Sequence, residues 1–253
     1  MKKIVLLRDL GNDRSYKEIW DLQESILQQK VKLKSEVKIL DKSLIESHFS
    51  DQPPTAGYQS LTADYLLFVE HNPVYTLGKS GDINHVLISE EERQLKGIEF
   101  FKINRGGDIT FHGPEQLVGY PIFDLEDFKT DLGWYLRSLE EVIILTMAEY
   151  GLKGDRSKGE TGVWLDPDIK GRERKICALG IRCSRWITMH GFAFNVNTNL
   201  DYFNYIIPCG IQNKQVTSLQ RELGYAVSME EVKQKVKQNF EKVFDINVVE
   251  ENW

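Results

Sequence analysis

Apolar positions along the chain recur with two periods, and the switches between them mark the elements. Ile4-Val5-Leu6-Leu7 is a short continuous apolar run and predicts a buried strand. Tyr16, Ile19, Trp20, Leu22, Ile26 and Leu27 then recur at helical spacing, predicting an amphipathic helix over about residues 15–30. From about residue 35 to 60 the pattern lapses, and Pro53, Pro54 and Gly57 predict a loop or insertion. Residues 65–69 and 74–77 are strand-like runs, closed by His71-Asn72-Pro73 and by Gly78. Strands at 100–104 and 109–112 bracket Arg105-Gly106-Gly107-Asp108, which has the form of a hairpin turn or a tight loop. Leu132, Tyr135, Leu136, Leu139, Val142, Ile143, Met147 and Tyr150 trace one face of a longer helix, with Asp131 as its N-cap and Gly151 as its C-cap. Further strands are predicted at 161–165, 175–183, 187–189 and 192–196. Thr217-x-x-Gln220 and Ser228-x-x-Glu231 are capping-box patterns, the second opening a helix that carries Val232, Val236, Phe240, Val243 and Phe244. Strands in the middle with helices at both ends predict an α+β fold, a mixed β-sheet core with flanking helices.

Composition narrows the function more than the fold. The 253 residues are 41% hydrophobic and 28% charged, enough to bury a sizeable core. A net charge of -6 leaves no basic excess to displace counterions from a phosphate backbone, which argues against nucleic acid as a partner. Positive charge is local, at residues 153–158 and at Lys170, Arg172, Arg174 and Lys175, and reads either as solvated loops or as a docking patch for an acidic partner. The apolar run at the N-terminus is too short for a signal-peptide core or a membrane span. Cys177, Cys183 and Cys209 are odd in number and form no C-x-x-C pair, so neither a disulfide framework nor a zinc site is expected, and the setting is a reducing cytoplasm.

Candidate chemistry concentrates in a few places. Cys209 sits between Pro208 and Gly210, a turn that would expose its sulfur, whereas most free cysteines are buried and inert. Lys175 precedes the apolar strand Ile176-Cys177-Ala178-Leu179, where a lysine either reaches water at the strand end or has a task. A thiol is a useful acyl-transfer nucleophile only as thiolate, and a nearby ammonium or a basic amine is the usual way to generate one. Arg105-Gly106-Gly107-Asp108-Ile109-Thr110-Phe111-His112 is the densest block of unusual residues. Adjacent glycines let a backbone approach a ligand, although an ordinary hairpin with a surface arginine looks the same. His112-Gly113 recurs as His190-Gly191, but with no third ligand at helical or turn spacing the pair makes a poor metal site.

Six blocks occur in order: residues 69–78, Arg105 to Gln116, Thr161-Gly162-Val163-Trp164, residues 175–182, residues 190–196 and Pro208-Cys209-Gly210-Ile211. Together they resemble the lipoyl(octanoyl) transferases over about residues 4–245. The resemblance implies one catalytic domain over residues 1–253, with a fold similar to the lipoate and biotin protein ligase catalytic module and with no cofactor or metal. It implies transfer of an octanoyl group from octanoyl-acyl carrier protein to a lysine of lipoyl domains, in 2-oxoacid dehydrogenase complexes and in the glycine-cleavage H protein. Cys209 then matches the acyl-thioester nucleophile and Lys175 the lysine that activates it. Arg105 to His112, Ala178-Leu179-Gly180 and Gly191-Phe192-Ala193 match the segments lining the acyl site, with backbone N–H groups near Gly106, Gly107 or Gly180 as candidate oxyanion donors. An ATP-dependent ligase on the same fold would need no such cysteine, and a non-catalytic binder of lipoyl domains would need neither Cys209 nor Lys175. The chain departs from the family at Glu115 and at Trp186 (after Arg185), where glycines are usual, and in a segment of about 35–60 that is longer than usual.

Overall fold

The computed structural model describes residues 2–46, 63–207 and 215–251. The first half of the chain runs β1 (Lys3–Asp9), α1 (Tyr16–Glu46), β2 (Asp64–Val69), β3 (Val74–Leu77), α2 (Glu90–Leu95), β4 (Glu99–Lys102), β5 (Ile109–His112) and β6 (Gln116–Ile122). The second runs α3 (Leu132–Ala148), β7 (Val163–Leu165), β8 (Arg174–Ser184), β9 (Ile187–Asn195), β10 (Gln215–Val216), α4 (Leu219–Leu223), α5 (Met229–Phe244) and β11 (Ile246–Glu250). The larger sheet has the order β10-β8-β9-β6-β2-β1-β11, with β7 paired to β8, and mixes parallel and antiparallel neighbours. A smaller sheet has the order β4-β3-β5.

Helices cover both faces of the larger sheet, as the flanking apolar periodicity requires. On one face α1 sets Ile19, Ile26 and Leu27 against Leu67, Val118, Tyr120, Met189 and Ala193. On the other, Tyr135, Leu139, Val142 and Met147 of α3 and Val232, Val236 and Phe240 of α5 pack on Val5, Leu66, Leu117 and Phe194. Asp131 caps α3 by accepting a hydrogen bond from the Trp134 N–H (2.9 Å), and Ser228 caps α5 through the Glu231 N–H (3.3 Å). The cap of α4 falls one residue later than its pattern implied. Ser218 takes the Arg221 N–H, while the Thr217 hydroxyl bonds Glu222 (2.6 Å).

Three expectations need correction. First, α1 does not end near residue 30 but continues to Glu46, so the expected loop does not begin at 35; residues 47–60 of that loop lie outside the described residues. No Gly or Pro interrupts the helix, and tertiary contacts extend it: Lys30 reaches Asp64, and Lys34 reaches Asp124 (2.7 Å) and Glu126 (3.1 Å). Second, β4 and β5 are not a hairpin, because β3 lies between them, parallel to β4 and antiparallel to β5. Third, β9 is one strand through His190 and Gly191, with His190 in the left-handed region at φ 60°. Sequence reading also missed β6, a fully buried inner strand whose Gly119 and Pro121 look like breakers. The pairing of β6 with β9 ends at Gly119, so the missing N–H of Pro121 falls beyond it.

Two buried polar groups tie these layers together. Asp64 opens β2 with its carboxylate wholly buried; it pairs with Lys30 (2.8 Å) from α1 and Lys3 (2.7 Å) from β1, and accepts the Asp124 N–H (2.9 Å). Where the two sheets meet, the rings of Tyr16, His71, His112 and Tyr120 pack together. Burial holds these histidines neutral. It pushes His71 down to about 4, against the opposing pull of its bond to the Arg14 carbonyl, and His190 down to about 3. His112 lies well below the usual imidazole range, through burial first and the neighbouring His71 second.

Two outcomes follow. Removing a partner from a buried ion pair leaves an uncompensated charge, so Asp64→Ala should cost about 3–5 kcal/mol, read from urea midpoints against wild type. The three imidazoles take up protons in the unfolded chain below about 6.5, while in the fold His71 holds out to about 4 and His190 to about 3. Their contribution to stability is therefore whole above about pH 6.5 and is lost progressively as pH falls through 4. Equal urea midpoints at about pH 7 and about pH 5 would contradict this.

Candidate active site

The segment after β4 is shaped by a buried cation. Arg105 is 9% exposed, not the surface arginine of a simple turn, and its guanidinium donates to the carbonyls of Gly106 (2.7 Å), Asp108 (2.9 Å) and Thr76 (3.3 Å). The loop closes over the end of β3 through Lys79 N–H to Arg105 carbonyl (2.9 Å) and Ser80 N–H to Gly107 carbonyl (3.2 Å). It is fastened to β8 by the Gly106 N–H on the Ile181 carbonyl (3.0 Å), which removes Gly106 as an oxyanion donor. Gly180 makes the approach possible, since a Cβ there would stand 2.6 Å from the Arg105 Nη1. Asp108 turns its carboxylate to the His85 Nδ1 (2.5 Å).

Beneath this loop is a cavity of about 450 Å³, within the usual range for a small-molecule site. Arg105, Gly106, Gly107, Asp108, Ile109 and Thr110 form one wall; Lys175, Ala178, Leu179 and Gly180 of β8 form another. A smaller inner recess shares Arg105, Thr110 and residues 178–180 with it, and is lined also by His112, His190, Gly191, Phe192 and Ala193. The predicted segments are thus brought together, with one exception. Phe111 points the other way on β5, into the core of the small sheet, where it stacks on Tyr202 at 4.6 Å between ring centres.

Lys175 is buried at the start of β8, with its Nζ 4.6 Å above the ring centre of Trp164 on β7. Cys177, two residues on, is fully buried, and desolvation pushes its thiol well above the ordinary range, so it is no nucleophile. Arg174 does not belong to a free basic patch; it pairs with Glu222 (2.7 Å) and Asp166 (2.6 Å). Cys209 lies outside the described residues. The chain before it is anchored by the Ile207 N–H on the His85 carbonyl (2.8 Å). After it, Val216 pairs with Lys175 in β8, and the Thr217 N–H bonds the Lys175 carbonyl (2.9 Å).

Several contributors escaped the sequence reading. A hydrogen-bond chain crosses the molecule from Thr76 through His112 to Gln116 (2.9 Å), on to Asn195 (2.9 Å) and to the Thr217 carbonyl (2.9 Å). Asn195 in the apolar run Phe192 to Val196 was a readable signal, because a buried strand admits a lone amide only with partners. Glu140 was less readable: this buried carboxylate on α3 accepts the Gly162 N–H (3.0 Å) and pairs with Arg137 (2.7 Å) and Arg156 (3.0 Å). Among the described residues, no group of three or more His, Cys, Asp or Glu is placed to hold a metal ion, and no helix is long and apolar enough to cross a membrane.

Comparison with known proteins accords with this geometry. The model of the lipoyl protein ligase A/B catalytic domain matches residues 15–241. An octanoyltransferase of Flavobacterium psychrophilum is 52% identical over 250 residues, covering 98% of this chain and 100% of its own. One from Christiangramia forsetii is 53% identical over 245 residues, covering 96% and 97%. Among solved structures, a bipartite lipoate protein ligase from Thermoplasma acidophilum has a TM-score of 0.65 at 16% identity, over 99% of this chain and 87% of that one. Lipoate-protein ligase A bound with ATP gives 0.64 at 15% identity, over 99% and 89%. At such identities the likeness is one of fold. With relatives of one activity along nearly its whole length, the chain belongs to the lipoyl protein ligase A/B catalytic domain family and is an octanoyltransferase.

Proposed function

We propose that the chain carries an octanoyl group from octanoyl-acyl carrier protein to a lysine of lipoyl domains, by way of a thioester on Cys209. The acceptors are the lipoyl domains of 2-oxoacid dehydrogenase complexes and the glycine-cleavage H protein, and the reaction opens protein lipoylation in the cytoplasm. The observation that carries this reading is the position of Lys175: a buried lysine in the wall of a loop-covered cavity, with the strand that follows Cys209 paired alongside it. The Thermoplasma ligase, whose structure is described together with its E2 lipoyl domain, supports the same class of acceptor.

The chemistry divides into two displacements. The Cys209 thiolate attacks the carrier's thioester carbonyl, the C–S bond to pantetheine breaks, and the Lys175 ammonium protonates the departing sulfur. The ε-amine of the lipoyl-domain lysine then attacks the octanoyl-cysteine; its proton passes to Lys175, the amide forms and the Cys209 thiolate returns. Thioester exchange is nearly balanced and thioester-to-amide transfer runs downhill, so no nucleotide is consumed. A free thiol is only a few per cent thiolate at about pH 7, and stabilising the thiolate by about 1.4 kcal/mol raises that share roughly tenfold while it remains the minor form. Leu136, Leu179 and Ile181 are the apolar residues among those lining the cavity that suit an acyl chain.

Incubation with octanoyl-acyl carrier protein should give the wild type an octanoyl adduct that hydroxylamine removes, seen by intact mass and unaffected by ATP. Cys209→Ser should form no such adduct, and Lys175→Ala should form it about 10²- to 10⁴-fold more slowly. No adduct on folded wild type would discard the two-step scheme. Charge reversal at exposed Lys170 should raise KM for the carrier-bound substrate and leave small octanoyl thioesters untouched; equal effects on both would exclude docking there.

A further inference from the structure

Lys175 does not simply project from a strand end. β7 lies antiparallel to β8 with Trp164 directly opposite Lys175, and the lysine Nζ stands over the face of the indole at 4.6 Å from its centre. Trp164 is 1% exposed, and its backbone is fixed by two hydrogen bonds with Asp155 (2.8 and 2.9 Å). Gly162 provides the other side of the groove. At φ 125°, a Cβ there would stand 3.3 Å from the Lys175 Cε and 2.6 Å from the Cys177 carbonyl oxygen. The Glu140 carboxylate holds Gly162 in place by its N–H. The lysine stem therefore runs past bare backbone and delivers its head onto a ring that cannot swing away.

We infer that Trp164 is a positioning residue for the acyl-transfer lysine, favouring the ammonium form of Lys175 over its amine through the face of the indole. This rests on the reading of Lys175 as the activator of Cys209. The ring's face is the negative pole of its quadrupole and attracts a cation, while a neutral amine gains little from it. The ammonium is the form that stabilises a thiolate and supplies the proton to the departing pantetheine sulfur, so the indole keeps the lysine ready for the first displacement. Among the described residues, the other ionisable groups around Lys175 are Glu160, Arg105 and Asp108 along the cavity, Cys177 on its own strand and Glu140 behind Gly162. Arg174, Asp166 and Glu222 form an ion-paired group beside it. None of these is changed by a substitution at 164.

The test measures single-turnover octanoylation from octanoyl-acyl carrier protein across pH. It compares wild type, proteins with mono-, di- and trifluorinated tryptophan installed at 164, and Trp164→Phe, Trp164→Leu, Lys175→Ala and the Trp164→Leu/Lys175→Ala double variant. Fluorine drains the ring's face with little change of shape, so the rate on the alkaline limb should fall stepwise along the series, by at most about tenfold in all. In Trp164→Leu the alkaline limb of the rate profile should move towards neutrality by about one pH unit. The acid limb should stay, and Trp164→Phe should restore part of the shift. Trp164→Leu should add nothing in the Lys175→Ala background. A flat fluorine series beside a slow Lys175→Ala overturns the role of Trp164 alone. Lys175→Ala octanoylating at the wild-type rate overturns the reading of the lysine, and this inference with it.

Discussion

The site depends on the burial of one guanidinium. Arginine cannot shed its charge, so enclosing it obliges the surrounding chain to supply oxygen acceptors in its plane. Here backbone carbonyls do this: Thr76 from the small sheet, and Gly106 and Asp108 from the loop that carries Arg105 itself. Because those carbonyls belong to backbone, the cation fixes the course of the chain and not merely a rotamer. The bare Cα of Gly180 then lets β8 close against the guanidinium, and the Gly106 N–H bonds across to Ile181. One charge thus joins the small sheet to the large one, and the cavity is the space left between them.

What could be read from the sequence was what is local. The runs that became β3 and β5, the caps at Asp131 and Ser228 and the apolar stripes of α3 and α5 each carry their own signal within one or two turns of chain. Strand order does not, which is why β4 and β5 looked like a hairpin although β3 divides them. β6 was hidden because Gly119 and Pro121 look like breakers unless the close approach of Phe192 and the end of the β9 pairing are known. The site was legible as an ordered set of blocks, since no spacing within any one of them would bring Lys175 to the Arg105 loop. Phe111 shows the limit of block matching: it belongs to the densest motif, yet the alternation of β5 turns it into the opposite core. Trp164 and Gln116 were passed over for the converse reason, their importance lying in a partner on a different strand.

The two positions where the resemblance leads one to expect glycine share a backbone property. Glu115 and Trp186 both have positive φ, at 58° and 68°, a region that favours glycine. Arg185 and Trp186 form the two-residue turn between β8 and β9, and a turn of that length wants φ above zero at both positions. The Glu115 carbonyl accepts from Asn197 (3.1 Å) and from the Thr198 hydroxyl (3.0 Å), which holds the strained peptide in place. Both side chains are exposed, and neither residue lines the cavity.

The pairing of β1 bears on how the chain assembles during synthesis. This strand lies between β2 and β11, with Lys3 opposite Ile246 and Val5 opposite Asp64. A ribosome adding roughly 5–20 residues per second therefore makes one of the strand's two neighbours tens of seconds after the strand itself. Contacts of such long sequence separation form late, because the entropy of closing so large a loop must be met before they contribute. Through that interval the nascent chain exposes one edge of β1, an unpaired row of amide and carbonyl groups beside apolar residues. The part of the fold that is laid down first is thus among the last to be sealed, and the hazard of aggregation falls on the interval before β11 leaves the ribosome.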